Sequence, residues 1–364
     1  MASCPCTTQH YNIKGANIQN TDMASYRCKK VAAIVALLTL VSLNVSYILA
    51  TRAPSTSGLE EEAMKARHEM WMVEYGRTYR DEVEKAHRFK VFKENIDFIE
   101  RSSRAAGNGK YPLKINKFAD MSKEEFKAMY TRSNPVSSTT AKKVPGFKYA
   151  NVTLTDLPEE VDWIKNGAVT KIKDQKDCEC CWAFCVVAAV EGVHQIKTGK
   201  LLSLSEQELL DCTGKKNDCD RGRKNEAFEY IVKNGITTED AYPYTAKKGS
   251  CQSVEPVVKI TKYELVPRDN EEALLAAVAH QPVAVAIDAS DKFDDYDDGV
   301  FLGKDCGALP NHAVTVVGYG SHDGTKYWLL KNNWGEDWGE NGYMRLERGT
   351  NACGIAKYAS YPVA

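Results

Sequence analysis

Cys181, His312 and Asn332 are residue types that together can carry out nucleophilic acyl transfer. That chemistry needs a thiolate, a base to activate it and a group to orient the base. Cys181 lies in Asp174-Gln175-Lys176-Asp177-Cys178-Glu179-Cys180-Cys181-Trp182, His312 follows 131 residues later (312 − 181), and Asn332 lies 151 residues after the cysteine (332 − 181). Asp323-Gly324 reads as a turn between two strand-like runs. A hairpin centred near His322 pairs residues whose numbers sum to about 644, and 312 + 332 gives that sum. The spacing therefore predicts that Asn332 faces His312 across the ladder and holds the imidazole. His322 in the turn reads as solvated, and His194 and His280 read as structural.

The elements that must position these residues can be read from local pattern. The run 182–197 is apolar almost all round, which predicts a buried helix opening at Cys181 and stopping at Gly199-Lys200. A thiol at a helix N-terminus sits at the positive end of the dipole, where thiolate is favoured. Ser205-Glu206-Gln207-Glu208 predicts a capping box for a second helix, and 225–233 a third. Beyond residue 259 the pattern changes to short runs at 283–287, 312–319, 326–331 and 343–346, which read as antiparallel strands. Helices first and strands second predict an α+β protein in two subdomains.

Cys178-Glu179-Cys180-Cys181-Trp182 is similar to the C-G-[SA]-C-[WY] signature, with its His and Asn 130–150 residues downstream, of the papain/cathepsin cysteine peptidases. From about residue 59 to the C-terminus the chain resembles that family, in its plant-type zymogens. The resemblance implies a papain-like fold: a helical left half, an antiparallel β-barrel-like right half and a helical propeptide in front. It implies cysteine endopeptidase activity, with Gln175 and the Cys181 N–H forming an oxyanion hole and Trp334 shielding the His–Asn pair. It also implies disulfides Cys178–Cys219, Cys212–Cys251 and Cys306–Cys353, leaving Cys181 as nucleophile and Cys180 and Cys185 as extra thiols. Zinc at this cysteine run is disfavoured by its spacing, and neither a metal nor a cofactor is expected.

Departures from the family pattern mark what is particular to this chain. Lys176, Glu179 and Arg221 stand where the family shows glycine. Glu179 and Arg221 are expected to flank the pocket before the scissile bond and to face each other as a charge pair, while Gly222 keeps backbone pairing to substrate open. The main specificity pocket would be lined by Lys224, Ala286, Pro310, Ala313 and Tyr358. Lys224 either presents a cation to an acidic or small polar residue, or is solvated and points away.

Glu84, Arg88, Phe92, Asn95 and Ile99 recur at spacings of 4, 4, 3 and 4, which puts them on one helix face. They resemble five of six positions of the family's E-R-F-N-I-N propeptide motif, Ser103 departing at the last. Asn116-Lys117-Phe118-Ala119-Asp120 is similar to its second motif, with Lys114 in place of the leading glycine. The expected division is an extension and signal peptide at 1–50, an inhibitory propeptide at 59–130, a linker with the maturation site at 131–156, and the peptidase at 157–364. The Ser/Thr/Pro-rich stretch 133–143 suits nicking, and Asn151-Val152-Thr153 is a glycosylation sequon.

An apolar content of 43% and a net charge of −1 over 364 residues describe a globular chain with no pull toward nucleic acid. Arg27, Lys29 and Lys30 before the apolar run 31–50 read as a secretory signal with cleavage near Ala50, a retained anchor being the alternative. Met23 would give a conventional start, which leaves residues 1–22 as an alternative one. Nine of the twelve cysteines, all but Cys4, Cys6 and Cys28, lie beyond residue 157, as suits an oxidising compartment: a vacuole or lysosome, or the outside of the cell. Peptide and protein substrates, the chain's own propeptide and cystatin-like inhibitors are the expected partners, with no stable membrane association. The rival reading is a catalytically weak homologue that binds peptides or inhibitors without turnover.

Overall fold

A computed structural model describes residues 56–106, 111–131, 146–214, 217–289 and 292–364. The expectations for residues 1–50 and 133–143 lie outside these, as do Cys4, Cys6 and Cys28. The chain divides into two compact units, residues 1–70 and 71–364. The described part of the first lies in helix α1 (Thr56–Glu74), and every later element belongs to the second.

Helix α2 (Glu82–Ala106) buries Phe92, Asn95, Ile96 and Ile99 on the face that the spacing predicts. Buried Asn95 spends both amide protons, donating to the carbonyls of Ala119 (2.9 Å) and Met121 (2.8 Å). Arg88 donates to the Asp120 carbonyl (3.0 Å) and pairs with Glu125 (2.9 Å). Two members of the helix motif thus have their partners in the loop 116–121 and in α3 (Lys123–Tyr130). A reciprocal Ser122–Glu125 capping box starts α3. Glu84 acts locally, accepting from the Arg80 N–H at 2.9 Å.

The strand β1 (Val161–Asp162) precedes helices α4 (Cys181–Thr198), α5 (Glu206–Cys212) and α6 (Lys224–Asn234). Gly199 ends α4 in the left-handed conformation (φ 73°) that a Cβ would oppose. Ser205 caps α5, but Glu208 does not complete the box; its carboxylate accepts instead from the Thr237 N–H (2.8 Å) and the Tyr230 hydroxyl (2.9 Å). The remaining elements are β2 (Lys262–Leu265), α7 (Glu271–Val278), β3 (Val283–Ile287), β4 (Val300–Phe301), β5 (His312–His322), β6 (Thr325–Lys331), β7 (Tyr343–Glu347) and β8 (Ser360–Val363).

The strand order is β2-β8-β3-β5-β6-β7-β4, with β1 added on β5; every pairing is antiparallel except β4 with β7. The expected barrel-like half is therefore an open sheet. Its terminal strands β2 and β4 are short and do not pair with each other. One apolar core lies under the sheet and a second around α4. Ala284 of β3 and Ala313 of β5 belong to the helical core, so the two halves meet at these strands. Disulfides join Cys178–Cys219, Cys212–Cys251 and Cys306–Cys353.

Candidate active site

Cys181 is the first residue of α4, is buried, and forms no disulfide. Three ties bring Gln175, Cys181, His312 and Asn332 to one junction of the helical and sheet halves. The Thr315 hydroxyl donates to the Cys185 carbonyl (3.2 Å), pinning β5 to α4 one turn past the thiol. The Gln175 N–H donates to the Asn333 carbonyl (2.8 Å), and Asp174 bridges to Trp334. His312 Nε2 lies 2.8 Å from Asn332 Oδ1. An amide oxygen only accepts, so Nε2 carries the proton and Nδ1 is left with the lone pair. Trp334 stacks on the imidazole with ring centroids 4.4 Å apart.

The His–Asn contact forms by a different register from the one expected. The two-residue turn is Asp323-Gly324, both at positive φ (48° and 77°), as a type I′ hairpin requires. His322 therefore pairs with Thr325, a sum of 647, and a bulge between Val316 and Gly318 drops the sum to 646 at Thr315↔Lys331. Beyond Lys331 the chain leaves the ladder, and the Asn332 N–H turns to the Gly342 carbonyl (3.0 Å). His312 has Ile287 of β3 as its Cα partner. Asn332 thus reaches His312 by its side chain from outside the ladder.

His312 is fully buried, and the loss of water lowers its pKa to about 4 while Asn332 works against that drop. The imidazole is therefore neutral in this covered state, with its lone pair on Nδ1. Nδ1 makes no hydrogen bond within the described protein, and neither does the buried Gln175 carboxamide at Oε1 or Nε2. Such groups are costly unless something else uses them.

The pocket residues fall out unevenly. Glu179 is buried and Arg221 exposed, and among the described residues no ion pair joins these two, where a charge pair was expected. The reason is local: Arg221 closes a tight turn, its N–H on Asp218 Oδ1 (3.1 Å) and its carbonyl accepting from the Asp218 N–H (2.8 Å), with the side chain directed outward. At Gly222 a Cβ would fall 2.1 Å from the Trp182 indole, so only glycine lets this stretch of chain lie on the ring beside Cys181. Lys224 is buried, not solvated, and donates to the carbonyls of Ala284 (3.1 Å) and Tyr358 (2.5 Å). Burial pushes its pKa down to about 8. Ala286 and Ala313 are paired across β3 and β5 and fully buried, and Pro310 is half-buried.

The N-terminal segment reaches the same place. Phe118, Phe126 and Tyr130 pack edge-on to Trp334 at 5.8, 5.1 and 6.1 Å. Lys117 pairs with Asp174 (2.7 Å), and Lys123 with buried Asp294 and Asp295 (2.9 and 2.6 Å). Asn116 donates to the Asp294 carbonyl (2.6 Å). Reading the sequence missed Thr315, Asn333 and Tyr244, whose hydrogen bonds hold the site together. Nothing in their local sequence distinguishes them, because each acts on a residue 20 or more positions away.

Residues 157–363 match the model of the papain family cysteine proteases, and residues 68–126 match the cathepsin propeptide inhibitor domain. The senescence-specific cysteine protease SAG39 of Oryza sativa subsp. japonica is 50% identical over 330 residues, 88% of this chain and 95% of that protein. The KDEL-tailed cysteine endopeptidase CEP2 of Arabidopsis thaliana is 46% identical over 317 residues, 83% of this chain and 87% of that one. Among solved structures, the proform of the ragweed pollen allergen Amb a 11, a cysteine protease, is 40% identical with a TM-score of 0.78, covering 85% of this chain and 97% of its own. Recombinant stem bromelain precursor is 42% identical with a TM-score of 0.76, covering 83% and 99%.

Proposed function

The chain belongs to the papain family of cysteine proteases, and from that premise we propose that it is an endopeptidase zymogen acting through Cys181, His312, Asn332 and Gln175. In this mechanism Nδ1 of His312 takes the Cys181 proton, and the thiolate attacks the scissile carbonyl. The imidazolium returns the proton to the leaving amine, and water hydrolyses the thioester. Asn332 fixes the tautomer, and the Gln175 amide with the Cys181 N–H receives the oxyanion. The observation that carries this reading is the pair of buried, unspent groups beside the helix N-terminus: His312 Nδ1 and the Gln175 carboxamide. The same observation disfavours the binding-only reading, because such groups are costly where no reaction uses them.

The buried Lys224 ammonium supports a preference for an acceptor-bearing residue in the main specificity pocket, since two of its three N–H donors are spent on carbonyls. A secretory route to a vacuole, lysosome or the cell exterior fits the apolar run 31–50 and the three disulfides. Maturation falls within 131–156, ahead of the matched peptidase residues.

Active-site titration tests the reading. The chain expressed from Met23 is acidified to about pH 4–5, in the range of carboxylate pKa values, treated with a peptidyl epoxide and mapped by mass spectrometry. An adduct on Cys181 with loss of the residues before about 157 is the expected result. An unlabelled Cys181 in fully matured protein would favour the binding-only homologue.

A further inference from the structure

We propose that Cys180 and Tyr244 are positioning residues that hold Gln175 in place as the oxyanion donor, an inference that rests on the peptidase reading above. Cys180 Sγ lies 2.9 Å from Tyr244 Oη, and Tyr244 Oη lies 2.7 Å from the Gln175 carbonyl oxygen. A phenol has one proton. The carbonyl can only accept, so that proton goes to Gln175, and the S–H of Cys180 must donate to Tyr244. The relay therefore runs in one direction, from the residue beside the nucleophile to the backbone of the oxyanion donor.

Its value follows from how Gln175 is held. The side-chain amide is buried and bonds to nothing in the described protein, so its aim depends on its backbone. That backbone enters a turn in which Lys176 has φ 52°, a conformation unfavourable for a residue with a Cβ. The Gln175 N–H is tied to Asn333 (2.8 Å), and its carbonyl accepts a longer bond from the Cys178 N–H (3.3 Å) as well as the short one from Tyr244. Phe184, edge-on to the Tyr244 ring at 5.0 Å, keeps the phenol from swinging away. Burial raises the pKa of both Cys180 and Tyr244 well above their ordinary values, so both protons remain in place at any working pH. Cys180 thereby has a use distinct from that of Cys181 and from inert filling.

The test compares Cys180→Ala, Cys180→Ser, Tyr244→Phe and Gln175→Ala in the matured enzyme. Three quantities are measured: kcat and KM on a peptide amide, the rate of Cys181 alkylation by iodoacetamide, and Tm. Alkylation builds no oxyanion, so it reports the Cys–His pair alone. Cys180→Ala and Tyr244→Phe should each lower kcat about tenfold, less than the 10²–10³ typical of losing an oxyanion donor outright. KM and the alkylation rate should stay at their parent values, as for an interaction made only in the transition state. Cys180→Ser, which keeps a donor, should restore most of kcat. The proposal is overturned if kcat is unchanged in both Cys180→Ala and Tyr244→Phe, or if it falls in step with alkylation. If Cys180→Ala does not fold, Tyr244→Phe, which keeps the ring, decides alone. A wild-type kcat in Gln175→Ala would instead overturn the oxyanion reading itself, whatever the other variants do.

Discussion

The indole of Trp334 lies on the imidazole of His312, with ring centroids 4.4 Å apart and planes 29° from parallel. The same indole receives the edges of Phe118, Phe126 and Tyr130 from the N-terminal segment. One side chain therefore touches both the His312 ring and the propeptide segment. Trp334→Ala removes a fully buried ring, which costs on the order of 3–5 kcal/mol of stability. It should also weaken inhibition by an added 59–130 peptide more than Trp338→Ala does, although Trp338 is equally buried. Equal inhibition constants for the two variants would show that Trp334 is not the anchor.

Burial of His312 makes the closed proform sensitive to acid. A histidine pKa lowered from 6.5 to about 4 contributes stability that is present above 6.5 and lost as pH falls through 4. The loss is on the order of 3 kcal/mol and favours any state in which water reaches the ring. Denaturant unfolding of the Cys181→Ser proform at pH 6.5 and pH 4 should show it. In Cys181→Ser/His312→Gln the difference between the two pH values should shrink by a similar amount. Identical pH dependence in the two proteins would refute the assignment.

Lys224 is held at a cost. A lysine pKa lowered from 10.5 to about 8 means stability present above 10.5 and lost as pH falls through 8, on the order of 3 kcal/mol at neutral pH. Lys224→Met should recover part of this, less what the Ala284 and Tyr358 carbonyls lose in partners. A peptide library should then shift from acceptor-bearing toward aliphatic side chains in the residue before the one at the scissile bond. An unchanged library profile would leave Lys224 a purely structural tie.

Gly222 allows no side chain. Gly222→Ala forces its new methyl into the Trp182 ring, and overpacking of this kind costs about 1–3 kcal/mol. Because Trp182 follows Cys181, a backbone shift that relieves the ring moves the thiol as well. The epoxide labelling rate should fall along with Tm. A lower Tm with an unchanged labelling rate would mean that the loop yields and the ring does not.

Lys176 tests the opposite case. Its φ of 52° suits glycine, so Lys176→Gly relieves about 1 kcal/mol of backbone strain, offset by the added freedom of the unfolded chain. Its Tm should match or exceed that of the parent, whereas that of Lys176→Val should fall. A fall in Lys176→Gly as large as that in Lys176→Val would place the strain elsewhere.

What the sequence made legible was local. The apolar run after Cys181, the Gly199 stop and the Asp323-Gly324 turn are written in neighbouring residues and appear as read, and of the box at Ser205 the Ser205 half appears. The face of α2 was equally plain, because helix period alone defines it. The hairpin register was not, since the bulge at Val317 follows from contacts with a distant segment: the Val317 carbonyl accepts from the Trp163 N–H at 2.9 Å. Nor could charge type reveal that Lys224 turns inward and Arg221 outward. That choice depends on carbonyls supplied by β3 and the 358 loop.

The bulge gives the sheet a reading frame. Side chains alternate faces along a strand, so one extra residue exchanges the two faces on either side of it. The tip of the β5–β6 hairpin, 318–329, and its root, 312–316, are thereby set out of phase. Deleting Val317 would make Val316 and Gly318 neighbours on opposite faces, as they already stand, so the facing of residues 312–316 would be kept while the carbonyl that accepts from the Trp163 N–H is lost. Inserting or removing residues at the Asp323-Gly324 tip would lengthen or shorten the hairpin without altering the facing of its root. The root of this strand thus keeps its facing through variation at the outer end and through loss of the bulged residue, whereas loss of a paired residue such as Thr315 would turn residues 312–314 to the opposite face.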